Sequence, residues 1–318
     1  MDLTSPPPQF APWRSSRVVV VAGKGGVGKT TTTAALAVAA ARDGASVLVI
    51  EVEGKSGLST MFGGPALTYE ERELAPRIRA RTLTPDEALL EYLEQNALGR
   101  LSRRLLRTGA IDVVSTAVPG MKDILVLGKV KQLERERVAD LILVDAPAAG
   151  HAITFLMSPR GLLDAVRGGP IRKQAEDVVE LIGDPTRCQV ALVTIPEETP
   201  VNELVDTAFA LEDRVGVKLA PVVVNGCLGA PFTTLDADDL VERATWANTM
   251  LGADEAAACI DAAHFRAARS ANERAQIERL HTALPLPQVQ LPFLFTDAIG
   301  PSELDRLADA LRAEPILA

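Results

Sequence analysis

Two short stretches of this chain hold residues whose types and spacing suit chemistry. The first is Gly23-Lys24-Gly25-Gly26-Val27-Gly28-Lys29-Thr30, which fits the pattern G-x-x-x-x-G-K-[ST]. Glycines let the backbone approach an anion and adopt conformations closed to other residues. Successive N–H groups and the start of a following helix then cradle phosphates. In such a loop Lys29 puts its charge on the β- and γ-phosphates, and the Thr30 hydroxyl ligates Mg²⁺. Thr31 is expected near the α-phosphate. The ligand predicted is ATP with Mg²⁺. The second stretch is Val144-Asp145-Ala146-Pro147, which follows an apolar run. A carboxylate at the end of a buried strand beside such a loop orients Mg²⁺ through water. The plainer readings are a flexible glycine turn and a loop-capping Asp.

Positioning these groups requires particular elements. Val18-Val19-Val20-Val21 precedes the glycines, and a β-branched run of this kind reads as a strand buried on both faces. Thr31 to Arg42 is Ala-rich and favours helix, and Asp43-Gly44 ends it. Val47 to Ile50 is a second buried strand, so a parallel pair with a right-handed crossover is expected. Similar runs recur at Leu141 to Val144, Val190 to Val193, Pro221 to Val224 and Val289 to Leu291. Helical patterns lie between them, as at Asn202 to Val215. The fold class is α/β, with a doubly wound, mostly parallel sheet.

Two stretches depart from simple alternation. Thr84 to Val138 reads as mostly helical, with a break at Val118-Pro119-Gly120, and so does Pro231 to Ala283. The first, with about 151–182, is expected to form an inserted α-helical subdomain on the nucleotide core. Residues 1–16, which include Pro6-Pro7-Pro8, read as a disordered tail, leaving 17–318 as the domain. No repeat or second phosphate loop is visible, so one nucleotide unit is expected.

Composition narrows the field. The chain has 318 residues, 47% of them hydrophobic, and a formal net charge of −9. That charge argues against nucleic-acid binding through general basicity. The three cysteines, Cys188, Cys227 and Cys259, are far apart and include no C-x-x-C pair, so neither a disulfide framework nor a structural zinc site is expected. They read as buried or semi-buried thiols. No apolar stretch is long enough for a membrane span, and the N-terminus lacks a signal pattern. A cytoplasmic protein is expected.

Lys24 adds a second lysine near the start of the loop. The loop G-K-G-G-V-G-K-T resembles the deviant P-loop of partition and cell-division ATPases, nitrogenase iron protein, and the arsenite-pump and tail-anchored-protein-targeting ATPases. Asp145-Ala146-Pro147-Ala148-Ala149-Gly150-His151 resembles the D-T-A-P-T-G-H switch II segment of the last group. Pro119 to Asp123 resembles its P-G-x-x-E helix start, and Thr194 to Glu203 the segment after its next strand. The resemblance spans about residues 17–311. It implies that Lys24 reaches a partner's nucleotide across a dimer interface. It further implies that Asn225 reads the adenine edge, that Pro292 lies in the late loop against the base, and that His151 couples γ-phosphate loss to movement. Asn225 has the donor and acceptor that adenine requires, although an Asn before Gly226 is also a common turn former.

Aligning Gly57 to Phe62 with the family's N-L-S-D-A-F places Glu53 where the family has a water-orienting Asp, with Glu51 as second candidate. A misplacement on the order of 1 Å costs about 10²-fold, so the resemblance implies slow turnover, or a weakened site in a heterodimer with a paralogue. The cysteines miss the family's metalloid-binding positions, and no metalloid is expected. Met121 and Met157, with Phe155-Leu156, are candidates for a groove that takes a hydrophobic helix, against core packing as the plainer reading. Arg100 to Arg107 is a basic amphipathic run, either a solvated face or a site for an acidic partner or anionic membrane. Three functions compete. One is a mechanochemical dimeric ATPase that engages a client, one a weakly hydrolysing subunit of a heterodimer, and one a partition or cell-division type ATPase.

Overall fold

The β-branched run Val18-Val19-Val20-Val21 has apolar groups on both of its faces, and it forms the central strand β1 (Val18–Gly23), buried at every position. The computed structural model that shows this describes residues 11–52, 57–95, 120–147, 149–229 and 237–313. Glycine and lysine follow β1, and then α1 (Lys29–Arg42) begins. Its C-terminus is closed at Asp43, with Gly44 at φ +85° continuing the turn. Next come β2 (Val47–Val52) and the short α2 (Leu58–Met61).

The chain then makes a hairpin of β3 (Arg72–Ala75) and β4 (Ile78–Leu83), followed by α3 (Pro85–Gln95) and α4 (Met121–Glu136). Gly120, at φ +80°, sits at the start of α4. Strand β5 (Leu141–Asp145), α5 (Ala149–Ala165) and α6 (Pro170–Gly183) come next. They lead to β6 (Cys188–Thr194) and α7 (Glu198–Ala210), which ends in a π turn at Leu211–Val215. Strands β7 (Lys218–Leu219) and β8 (Val222–Cys227) precede α8 (Ala237–Trp246) and the long α9 (Ala253–Ala283). The last elements are β9 (Gln288–Pro292) and α10 (Pro301–Ala313).

The sheet order is β3-β4-β2-β5-β1-β6-β8-β9, with β7 paired to β6. The pairings are parallel except β3 with β4. Successive side chains of each strand point to opposite faces, so the sheet has two cores. Val19, Val21, Val47 and Val49 pack under α1 and α10. Val18, Val20, Leu48, Ile50, Ile142 and Val144 pack under α4 to α7. From β1 the chain moves out to β2 on one side and returns to β6 on the other. The carboxyl ends of β1 and its neighbours therefore form the crevice where open α/β sheets bind ligands.

The described parts of 84–138 and 151–182 share one core cluster with the sheet, and residues 96–119, with the basic run Arg100 to Arg107, lie outside the described residues. The tail expected over 1–16 is corrected at its end. Ala11–Arg14 is a 3-10 turn, Trp13 is fully buried, Gln189 Nε2 donates to the Trp13 carbonyl at 3.1 Å, and the Ser16 hydroxyl donates to the Pro185 carbonyl at 2.6 Å. Burial of the indole anchors this segment. Met121 is buried in the core, and Met157 packs against it beside buried Phe155 and Leu156, so this set serves packing. Among the described residues no helix is long and apolar enough to cross a membrane.

Candidate nucleotide site

The glycine loop between β1 and α1 is held at both ends by close approaches. Gly23 pairs with Val193 in the sheet, and a Cβ on Gly23 would stand 2.3 Å from the Val193 carbonyl oxygen. Gly28, at φ +90°, is pressed by Asn225, whose Nδ2 would lie 2.1 Å from a Cβ there. Between them Gly26 is at φ +85°, and a Cβ on Gly25 or Gly26 would meet nothing within 4 Å. Packing against backbone thus requires glycine at Gly23, and left-handed backbone favours it at Gly26 and Gly28, while the middle of the loop faces open space. Gly28 precedes α1 without any side-chain cap, and the Thr32 N–H already bonds the Gly28 carbonyl at 2.9 Å. The first N–H groups of α1 are left for an anion.

Three side chains converge on this concavity. The Thr30 hydroxyl donates to Asp145 Oδ2 at 2.7 Å, joining the start of α1 to the end of β5. Asp145 is buried. Lys29 Nζ donates to the Lys24 carbonyl at 3.1 Å, so its ammonium folds back over the loop. Burial lowers the Lys29 pKa from its ordinary value, and the Asp145 carboxylate opposes that shift. A carboxylate, a hydroxyl and an ammonium around an uncapped helix start form a set of donors for a phosphate chain with a hard cation: oxygen ligands for the metal, N–H groups for the phosphates.

Asn225, at the carboxyl end of β8, donates from Nδ2 to the Val27 carbonyl at 3.0 Å. It braces the loop, a contact that the sequence does not announce. Gly226 follows at φ +75°, and the chain turns there. Pro292 ends β9 opposite Cys227, and the Phe293 N–H bonds the Cys227 carbonyl at 2.8 Å. Thr31 is half-buried on α1. Glu51 is buried beside Asp145 in the sheet and accepts a hydrogen bond from the Thr82 hydroxyl at 2.9 Å. Glu53 and the side chain of His151 lie outside the described residues.

Lys24 points away from its own loop. Its Nζ meets Glu203 Oε1 on α7 at 2.5 Å, with both side chains about two-fifths exposed. Glu203 was not singled out by sequence, since a lone carboxylate on a helix gives no spacing signal. Cys188 and Cys227 are buried as expected, whereas Cys259 is exposed on α9, because that part of α9 has little packed over it.

A parallel sheet wound on both faces, with a glycine loop and helix start at the end of its central strand, defines a P-loop nucleotide hydrolase. Residues 16–167 match the family model described as anion-transporting ATPase. The chain is 32% identical over 324 residues to the ATPase BagA of Mycobacterium tuberculosis, covering 94% of each chain. It is 30% identical over 155 residues to the ATPase get3 of Schizosaccharomyces japonicus, covering 48% of this chain and 47% of the other. To the arsenical pump-driving ATPase of Acidiphilium multivorum it is 27% identical over 235 residues, covering 65% of this chain and 38% of that one. The chain belongs to the anion-transporting ATPase family, and it is an ATP-hydrolysing enzyme.

Proposed function

We propose that the chain binds ATP with Mg²⁺ in the loop Gly23 to Thr30 and works as an ATP-gated dimer. The observation that carries this reading is the Thr30–Asp145 contact, a hydroxyl and a buried carboxylate held 2.7 Å apart at the mouth of the loop. A hydroxyl and a carboxylate are hard oxygen donors suited to Mg²⁺. Mg²⁺ held by the Thr30 hydroxyl and the Asp145 carboxylate would supply charge neutralisation to the phosphates. Gly25, Gly26 and Gly28 offer N–H groups to the phosphates. Lys29, whose burial disfavours an isolated charge, gains a counter-ion when phosphate arrives. Asn225 and Pro292 flank the base, and Glu53 orients the attacking water. Lys24, about two-fifths exposed and turned toward α7, exchanges Glu203 for a phosphate on a second copy. The helices α3 to α6, layered on the same core as β1 and β5, carry the nucleotide state to a partner or client.

Steady-state ATP turnover across a Mg²⁺ titration tests the site. Thr30→Ala and Asp145→Asn should both raise the Mg²⁺ requirement and lower turnover, and Lys29→Ala should abolish ATP affinity. Unchanged Mg²⁺ dependence in both of the first two variants would remove Thr30 and Asp145 from the metal site. Light scattering with and without a non-hydrolysed ATP analogue tests the dimer, which wild type should form and Lys24→Ala should not.

A further inference from the structure

The long helix α9 spends most of its length without cover. Of its 31 residues only Ala256, Ser270, Glu273 and Leu280 are buried. Its amino-terminal half pairs with α8, and together with the turn after β9 they border an apolar groove of about 650 Å³. Leu240, Ile260, Phe265, Phe293 and Phe295 line it. Among the described residues seven large hydrophobic side chains are exposed, and five of them lie on these elements and their connections. They are Trp246 at 86%, Met250 at 98%, Phe265 and Phe295 at 71% each, and Phe293 at 47%. A single exposed apolar residue means little, but a contiguous aromatic patch marks an interaction surface. The patch is ordered from within: Phe293 and Phe295 pack edge to face at 5.0 Å, and the Arg266 guanidinium lies 5.1 Å over the Phe295 ring.

The charge pattern of α9 indicates what covers it. Residues 253–265 carry Asp254, Glu255 and Asp261 and no Lys or Arg. Residues 266–281 carry Arg266, Arg269, Arg274 and Arg279 against Glu273 and Glu278. A second α9 laid antiparallel sets each acidic half against a basic half, with the helix dipoles also opposed. This is the self-complementary arrangement of a two-fold interface. The same helix is tied to the loop's surroundings: Arg269 pairs with Glu197 at 3.2 Å, and Arg279 donates to Asn202 at 2.6 Å and to the Glu198 carbonyl at 3.1 Å. Those partners lie at the start of α7, the helix whose Glu203 holds Lys24.

We propose that the aromatic face of α8, α9 and the turn after β9 is the apolar centre of a contact with a second copy of this chain, with α9 antiparallel to its counterpart. This rests on the dimer reading above and names the surface that the dimer buries.

Cys259 provides the test, since it is exposed on α9 while Cys188 and Cys227 are buried. A two-fold axis midway between Asp261 and Arg266 leaves the two copies of Cys259 nine residues apart along the paired helices, on the order of 14 Å at 1.5 Å per residue. Full-length protein is treated with a bifunctional maleimide of matching span, with and without a non-hydrolysed ATP analogue, alongside light scattering. The expected result is a cross-linked dimer that strengthens with nucleotide and is lost in Cys259→Ser. Phe265→Asp should weaken dimerisation at least about tenfold, the scale of a central aromatic anchor, with an unchanged melting temperature because the side chain is exposed. A nucleotide-dependent dimer with no Cys259 cross-link and no effect of Phe265→Asp overturns this surface and leaves the dimer reading standing. A monomer under every condition overturns both.

Discussion

Alanine at Gly23 and at Gly25 should have opposite effects, because the two glycines meet different constraints. A Cβ on Gly23 would lie 2.3 Å from the Val193 carbonyl oxygen and 3.1 Å from a Val27 methyl. The first obstacle is backbone inside the β1–β6 ladder and cannot rotate aside. Relief requires a shift approaching 1 Å in a close-packed layer, and such overpacking costs about 1–3 kcal/mol. Taking about 2 kcal/mol, and roughly 2 °C per kcal/mol for a chain of this size, Gly23→Ala should melt about 4 °C below wild type. At Gly25 a Cβ meets nothing within 4 Å, and the backbone is not left-handed. Alanine there restricts the unfolded chain and should stabilise by about 0.4–1 kcal/mol. Yet that Cβ would enter the space proposed for phosphate, so ATP affinity should fall tenfold or more. The assay is a thermal melt without nucleotide, paired with equilibrium binding of ATP. If Gly25→Ala melted as low as Gly23→Ala, or bound ATP like wild type, the division of the loop into a packed end and an open cradle would be refuted.

Three further outcomes are expected. Asn225→Ala removes the donor to the Val27 carbonyl and should cost about 1 kcal/mol, the net worth of one hydrogen bond; Asn225→Asp, which sets a carboxylate oxygen against that carbonyl, should melt lower still and bind ATP more weakly. Brief maleimide labelling of the folded protein at pH 8, read by mass spectrometry, should modify Cys259 alone, since Cys227 is buried and burial pushes the Cys188 thiol up to about 12. Asp177 is held below the usual carboxylate range, first by its hydrogen bond from Lys173, then by Lys131. A depressed folded pKa gives stability that is present at neutral pH and lost as pH falls through that lowered value. Asp177→Asn should therefore flatten the acid limb of a denaturation curve as pH falls below the ordinary carboxylate range, and should lower stability at pH 7 by leaving Lys131, Lys173 and Arg135 crowded.

How much of this was legible in the sequence depended on whether one local signal decided the outcome. The buried strands were, because a β-branched run with both faces covered contradicts helix and loop alike; β1, β2, β5, β6, β8 and β9 all appear where the runs lie. The turn from β1 into α1 at Gly23 to Thr30 was legible for the same reason, since closely spaced glycines between a buried strand and a helix-favouring run admit few other geometries. The β3–β4 hairpin was not. Its second strand alternates Ile78, Ala80 and Thr82 with Arg79 and Arg81, which reads as half-solvated chain. The Arg81 side chain is nevertheless buried, its guanidinium 4.3 Å over the Tyr69 ring and paired with Glu71. That burial depends on partners brought by the fold. Trp13 was masked by the proline-rich residues before it, although it packs against β1 and its neighbours. The bracing of Val27 by Asn225 spans 198 residues, and no local pattern carries such a contact.

The ties between the loop and α9 run through one helix, and their strength decides what they can do. Lys24–Glu203 and Arg269–Glu197 are ion pairs between half-exposed side chains. Pairs of this kind contribute about 0–1 kcal/mol each. Such contacts are too weak to lock α7 or to hold Lys24 against a phosphate chain carrying several negative charges. They are strong enough to set a resting position and to be exchanged without a large barrier. On the proposed dimer reading, transfer of Lys24 from Glu203 to a second copy's nucleotide releases a carboxylate on α7 at the moment α9 meets its counterpart. Glu203→Gln, which keeps the side chain's shape and removes its charge, should therefore favour the dimer by no more than about fivefold, the equivalent of 1 kcal/mol. Sedimentation across an ATP titration measures that ratio. A hundredfold effect would mean that Glu203 is a lock, and a weakened dimer would mean that Lys24 does not exchange Glu203 for a phosphate.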